Sequence, residues 1–256
     1  MKKTKNSRII AAIAMLVVSA TALTTSSFAW FTMNKEVSAT GLSLTATVPT
    51  NLEISDSENG TYGATVTLNT ATKKFVPISG VGYTTATAPT TTLFYAETNK
   101  TDGDIKTTID TATTTFKAIP GASDNARQYY VDVPVWIRSK ASLDTGASID
   151  VAVSKLDIKS DALKDAYRVA TIEKPFIYSN GLIARSWTPL ATATTLGTET
   201  STVVGGDVVA IIPTAGTAQK VTLRIWLEGQ DSLCKDISAG KTVSMDIQFT
   251  GTDKVA

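Results

Sequence analysis

Histidine is absent from all 256 residues. No Ser-His-Asp or Cys-His constellation, no His-Glu-x-x-His zinc helix and no imidazole metal ligand can therefore form. Cysteine occurs once, as Cys234, so an internal disulfide is excluded and packing alone must hold the fold. That thiol reads as a small buried hydrophobe, with an intermolecular bridge as the alternative. The tail, Phe249-Thr-Gly-Thr-Asp-Lys-Val-Ala256, has neither an apolar stretch nor a Leu-Pro-x-Thr-Gly sorting signal. Paired-carboxylate catalysis survives the lack of histidine, but it needs two acids held in a cleft, which no spacing here displays. The chain reads as a non-enzyme without a cofactor.

What is present begins with a leader. Lys2, Lys3, Lys5 and Arg8, with no acid among them, precede an apolar run from Ile9 to Leu23 broken only by Ser19 and Thr21. This is the three-part layout of a secretory signal. A spanning helix needs about 20 apolar residues, and this run is shorter and ends in Ser/Thr-rich chain. Ser27 and Ala29 supply the small residues that signal peptidases accept, so cleavage between Ala29 and Trp30 is expected, with 1–29 removed and 30–256 left as one secreted domain. The alternative is an uncleaved anchor with Trp30 and Phe31 at the headgroup level. The only cysteine lies far from the leader, so an acylated lipobox is excluded. Removing residues 1–29 takes four of the 24 basic side chains and none of the 23 acidic ones, leaving 20 against 23, a net charge of −3. Such a balance does not attract a polyanion, and nucleic acid is not an expected partner.

Beyond the leader the dominant pattern is strict alternation, the signature of half-buried strands. Leu42, Leu44, Ala46 and Val48 share one face of the first such run. Tyr129, Val131, Val133, Val135 and Ile137 do so in the second, Val221, Leu223, Ile225 and Leu227 in the third, and Val243, Met245, Ile247 and Phe249 in the last. Between Ile149 and Ile158 the phase shifts, which predicts a bulge around Ser154 and Lys155. Fainter strands are expected at 52–55, 61–68, 91–96, 176–178 and 207–212. One segment, Ser160 to Ile172, offers a cap at Ser160 and Leu163, Tyr167 and Ala170 at helical spacing, and reads as a short helix, with strand over Arg168 to Ile172 as the alternative. The expected fold is all-β: an antiparallel, jelly-roll-like β-sandwich with one short helix and a long Thr-rich insertion near Thr84 to Ala126.

Few residues invite chemistry. Asp56, Glu58 and Asn59, then Asp102 and Asp104, then Glu228 and Asp231 are oxygen clusters that read first as solvated turns. Among them Glu228 and Asp231 are the calcium candidates, because Gly229 permits a tight turn that brings them together. Trp136 and Trp226 fall on the polar sides of their strands and need cover. A loop of the same chain, a neighbouring subunit or a stacked sugar ring would each supply it. Pro134 removes a ladder donor beside Trp136 and suggests an edge or a bulge. Segment 30–41 is expected to be an exposed arm leading into the first strand. An arm of this kind either pairs within its own sandwich or adds itself to a sheet edge of another copy, and head-to-tail addition makes a filament.

The junction Ser-Phe-Ala-Trp-Phe-Thr-Met-Asn-Lys-Glu-Val-Ser-Ala-Thr-Gly-Leu-Ser-Leu-Thr-Ala-Thr-Val, residues 27–48, resembles exported proteins of the TasA and camelysin type. The resemblance implies a jelly-roll sandwich that assembles into extracellular biofilm-matrix fibres, with a donated amino-terminal strand completing the next subunit's sheet. It implies that role for Trp30, Phe31, Val37, Leu42, Leu44 and Val48, within the segment Trp30 to Val48. The leading expectation is thus a secreted structural protein of the cell surface or biofilm matrix that partners with copies of itself, other matrix proteins or glycans. The alternative is a carbohydrate-binding surface module using Trp136, Trp226 or the tyrosines Tyr129 and Tyr130.

Overall fold

The computed structural model describes residues 39–49, 51–70, 74–75, 77–80, 95–97, 116–119, 121–123, 127–141, 143, 145–159, 163–174, 176–187, 199–203, 207–229, 231 and 241–254. Trp30, Phe31, Val37, the cleavage point at Ala29, the Asp102/Asp104 pair and Cys234 lie outside them, as does most of the Thr-rich insertion. In chain order the strands are β1 (Ala39–Thr47), β2 (Leu52–Ser55), β3 (Thr65–Thr70), β4 (Lys74–Phe75), β5 (Tyr95–Glu97), β6 (Phe116–Ala118), β7 (Arg127–Gln128) and β8 (Tyr130–Ser139). They continue as β9 (Ser148–Lys159), β10 (Tyr167–Thr171), β11 (Ile177–Ser179), β12 (Ile183–Trp187), β13 (Glu199–Val203), β14 (Val208–Ile212), β15 (Gln219–Leu227) and β16 (Lys241–Lys254).

Two sheets stack face to face. The five-stranded one runs β14-β9-β16-β1-β3 and the seven-stranded one β13-β12-β11-β10-β15-β8-β2. From β8 onward the chain passes between the two sheets at β8 to β9, β9 to β10, β13 to β14, β14 to β15 and β15 to β16, the winding of a jelly roll. Alternation explains why these segments are strands and which way they face. Leu42, Leu44 and Ala46 point into the same core as Val133, Val135, Ile137, Val221, Leu223, Ile225, Met245 and Phe249. At Gly251 of β16 the layers come close: a Cβ there would stand 3.0 Å from Leu52 Cδ1 of the other sheet, and 2.9 Å from Ile149 Cγ2 on the neighbouring strand β9.

The phase shift in β9 is a bulge. Leu156 pairs with Ile247 and Val153 with Phe249, so Ser154 is left over, and its hydroxyl donates to the Gln248 carbonyl at 3.1 Å. Pro134 sits in β8, an interior strand, which corrects the expectation of an edge. β2 pairs only with residues 136–139 of β8, so the missing N–H falls where the short neighbour has already ended.

The helix read from Ser160 onward is also corrected. Among the described residues no helix occurs. Leu163 to Ala166 form one turn, closed by Ala166 N–H to the Leu163 carbonyl at 2.9 Å, and Tyr167–Thr171 is strand β10, buried along its whole length. Val169 and Thr171 are β-branched and favour extended backbone. A strand buried on both faces carries no alternation, so its spacing does not distinguish it from a buried helix.

Candidate functional site

Among the described residues two places stand out: the slot that holds β1, and a buried ion network on the outer face of the larger sheet.

β1 lies between β16 and β3. It runs parallel to β16, with Leu42 opposite Val243, Leu44 opposite Met245 and Ala46 opposite Ile247. It runs antiparallel to β3, with Leu44 opposite Leu68 and Ala46 opposite Val66. Within the two large sheets, among the described residues, this is the one parallel pairing. β3 and β16 therefore run opposite ways on either side of β1. Leu42, Leu44 and Ala46 are at most 2% exposed and Val48 is 8% exposed. Burying Leu42, Leu44 and Val48 contributes on the order of 5–9 kcal/mol before ordering costs. The outward face is uncharged, made of Ser43, Thr45 and Thr47.

The ion network sits where Arg168 of β10 faces Trp226 of β15. Both point away from the main core, yet both are 0% exposed. A second apolar cluster, Ile78, Ile119, Tyr129, Tyr130, Ala170, Ile177 and Trp226, lies on this outer face. It is formed where residues 77–80, Ile119 and residues 121–123 fold over the sheet. Ile78 N–H donates to the Leu227 carbonyl at 3.0 Å and Gly229 N–H to the Ile78 carbonyl at 2.9 Å. Under this cover the Arg168 guanidinium donates to Glu199 through Nε (2.6 Å) and Nη2 (2.7 Å), and to Asp231 through Nη2 (2.9 Å). Its Nη1 donates to the carbonyls of Asp165 and Tyr167. Burial opposes the guanidinium charge, but the bonded Glu199 carboxylate outweighs it and raises Arg168 above its usual range. Arg185, 3.7 Å from Glu199, is lowered by burial and by the neighbouring Arg168.

Glu228 completes the network. The turn expected at Gly229 is present, with Asp231 N–H donating to the Glu228 carbonyl at 3.2 Å, and Asp231 and Glu228 both lie beside Arg168. Glu228 Oε2 accepts from Gly80 N–H at 2.9 Å and from Trp226 Nε1 at 3.1 Å. Burial, then the Glu199 charge, push its carboxyl up to about 7, against the lowering effects of Arg168, Gly80 and Trp226. A carboxyl that titrates near neutrality beside a second acid has the electronic layout of an acid catalyst. Full burial of Glu228 leaves a substrate no approach in this conformation. Among the described residues no group of three or more acids or thiols is arranged to hold a metal ion, and the cation between these carboxylates is Arg168.

The remaining expected residues separate. Trp226 is covered from within the chain, so in this conformation it cannot stack on a sugar, and Tyr129 and Tyr130 are buried with it. Nothing in the alternation around Trp226 reveals the cover, because Ile119 and Ile78 lie 107 and 148 positions earlier in the chain. Trp136 stays half-buried on the uncovered part of the same face, with Lys220 Nζ 5.8 Å above its ring. Asp56, Glu58 and Asn59 form an exposed turn. No protein family, curated protein or solved structure compared with the chain matches it.

Proposed function

We propose that this chain is a secreted structural protein of the cell surface or biofilm matrix, assembling when residues 30–48 of one copy complete the five-stranded sheet of the next. The observation that carries this reading is the parallel insertion of β1 between β16 and β3. A terminal strand tied to the body at one end can leave its slot without threading, and the same slot in a second copy offers it identical partners. Exchange of an identical element between copies therefore regains the contacts it gives up. Pro49 and Asn51 lie on the connection from β1 to β2 and would act as the hinge once residues 1–29 are removed. Trp30, Phe31 and Val37 would extend the donated segment beyond β1.

The test compares the chain from Trp30 with one beginning at Leu42 by negative-stain electron microscopy at neutral pH. Filaments from the longer chain alone support donation. Monomers from both remove self-assembly by this segment.

A second reading, a carbohydrate-binding surface module, draws support from Trp136, whose half-exposed indole is flanked by Lys220 and by Arg138. Loss of glycan retention in Trp136→Ala with assembly unchanged would favour it.

A further inference from the structure

A new strand joins a sheet where backbone N–H and C=O groups face outward unmet, and most such edges in this chain are closed. Gly63 covers β2, exchanging N–H···O bonds with Ile54 at 2.7 and 3.0 Å. Pro134 blunts the stretch of β8 that β2 leaves bare. Beyond β14 the edge of β9 is taken by a turn: Ile158 N–H donates to Asn180 Oδ1 and Gly181 N–H to the Leu156 carbonyl, both at 2.9 Å. β14 itself is bulged between Val208 and Ala210, and β13 carries the charge of Glu199. β3 has none of these guards. Thr65–Thr70 reads Thr-Val-Thr-Leu-Asn-Thr, without charge, proline or bulge, and among the described residues it pairs with β1 alone.

The register of β3 fixes what its free edge offers. Val48 N–H donates to the Ala64 carbonyl at 3.0 Å, and the pairing continues with Ala46 opposite Val66, Leu44 opposite Leu68 and Leu42 opposite Thr70. In an antiparallel ladder alternate residues bond to the same neighbour, so Val66, Leu68 and Thr70 turn their amides toward β1. The N–H and C=O groups of Thr65, Thr67 and Asn69 therefore face outward. On the inner face Val66 and Leu68 are only half-buried against the main core.

We propose that the outer edge of β3 is a self-pairing site, at which two copies of this chain join their β3 strands antiparallel about Thr67 and continue the five-stranded sheet across a two-fold axis. A second copy is the occupant because this edge is its own complement. With Thr67 opposite Thr67 of the second copy, Thr65 meets Asn69 and Asn69 meets Thr65, so every outward N–H and C=O of the three residues finds a partner. Val66 then stands opposite Leu68 at the closer, non-hydrogen-bonded positions, where each completes the other's burial. No like charges meet across the axis. The contact closes at two copies, so it makes no filament by itself, and it leaves β3 beside β1 whether that strand is its own or donated. A strand pair of this length lies at the small end of interface sizes, so it forms in concentrated solution and dissociates at the dilution of negative stain.

The experiment places a nitroxide on Thr67→Cys, and separately on Thr65→Cys, in the chain from Trp30 carrying Cys234→Ser, and reads electron paramagnetic resonance up to about 1 mM protein. The two Thr67 positions should lie about 5.5 Å apart at Cα and the two Thr65 positions about 15 Å apart. Strong dipolar broadening at Thr67, weaker broadening at Thr65 and loss of both on dilution is the expected result. Absence of broadening at both positions, or equal broadening at the two, overturns the pairing. Copies joined only by strand donation give no such Thr67 signal, because donation sets β1, not a second β3, beside β3. Thr67→Pro removes an outward N–H and no bond to β1, so sedimentation should show association weakened at least about tenfold with the strand circular dichroism unchanged. If that variant does not fold, Thr67→Lys sets like charges opposite each other and should give the same loss. Association undiminished in the folded variant overturns the proposal.

Discussion

Leu44 of β1 lies opposite Met245 of β16 in parallel register, so the first and the last described strands are neighbours in the middle of a sheet. Both side chains are 0% exposed. Leu44→Ala should therefore destabilise the folded chain by about 2–5 kcal/mol, through lost transfer energy and a residual cavity. Urea unfolding measures this, and a cost below about 1 kcal/mol would mean that β1 is not held in this slot in solution.

Gly251 tests how closely the two sheets approach. A methyl group there meets Ile149 and Leu52 at 2.9–3.0 Å, and both are packed core side chains. Gly251→Ala should cost about 1–3 kcal/mol by overpacking, seen as a lower denaturation midpoint at unchanged slope. A neutral result would require looser packing around Gly251, against Leu52 of the other sheet and Ile149 of the neighbouring strand.

Arg168 is the cation on which the buried acids depend. Arg168→Ala should destabilise by about 3–5 kcal/mol at pH 7, since removing one partner leaves uncompensated buried charge. Adding Glu228→Gln should recover part of that loss, and the double-mutant cycle measures the coupling. Strict additivity of the two changes would show that Glu228 and Arg168 do not interact.

The pH dependence of global stability follows from the same carboxyl. Because Glu228 is raised to about 7, wild type and Glu228→Gln should differ least below pH 4.5. Wild type should then fall progressively behind as pH rises to 7, by up to on the order of 3 kcal/mol. Denaturation midpoints of both proteins from pH 4 to pH 8 read this directly. A gap that widens toward acid would reverse the sign and contradict the burial of an ionisable Glu228.

Much of the sandwich is legible in the chain, because alternation survives wherever one face of a strand meets water. Leu42 to Val48, Val131 to Ile137 and Val243 to Phe249 show it plainly, and the bulge at Ser154 is visible as a broken phase. Over Tyr167–Thr171 the leading reading, helix, is wrong and the alternative, strand from Arg168, is right; both faces are covered, which erases the period of two and leaves a spacing that a helix also satisfies. Trp226 announces a need for cover, but Ile78 and Ile119 lie far away in sequence and carry no mark of where they dock. The pairing of Glu228 with Asp231 could be anticipated from Gly229, whereas Arg168 and Glu199 reach them through strand order, which no local pattern encodes. The parallel placement of β1 is likewise a property of the topology.

Donation by residues 30–48 can be tested by fixing β1 in its own sheet. Ser43 and Ser244 face outward as register neighbours, so Ser43→Cys with Ser244→Cys, in a Cys234→Ser background, places a reducible bridge across β1 and β16. Electron microscopy of the oxidised and reduced forms is the deciding measurement. Strand donation predicts monomers when the bridge is closed and filaments once it is reduced. Filaments from the oxidised protein, or none from the reduced one, would contradict it.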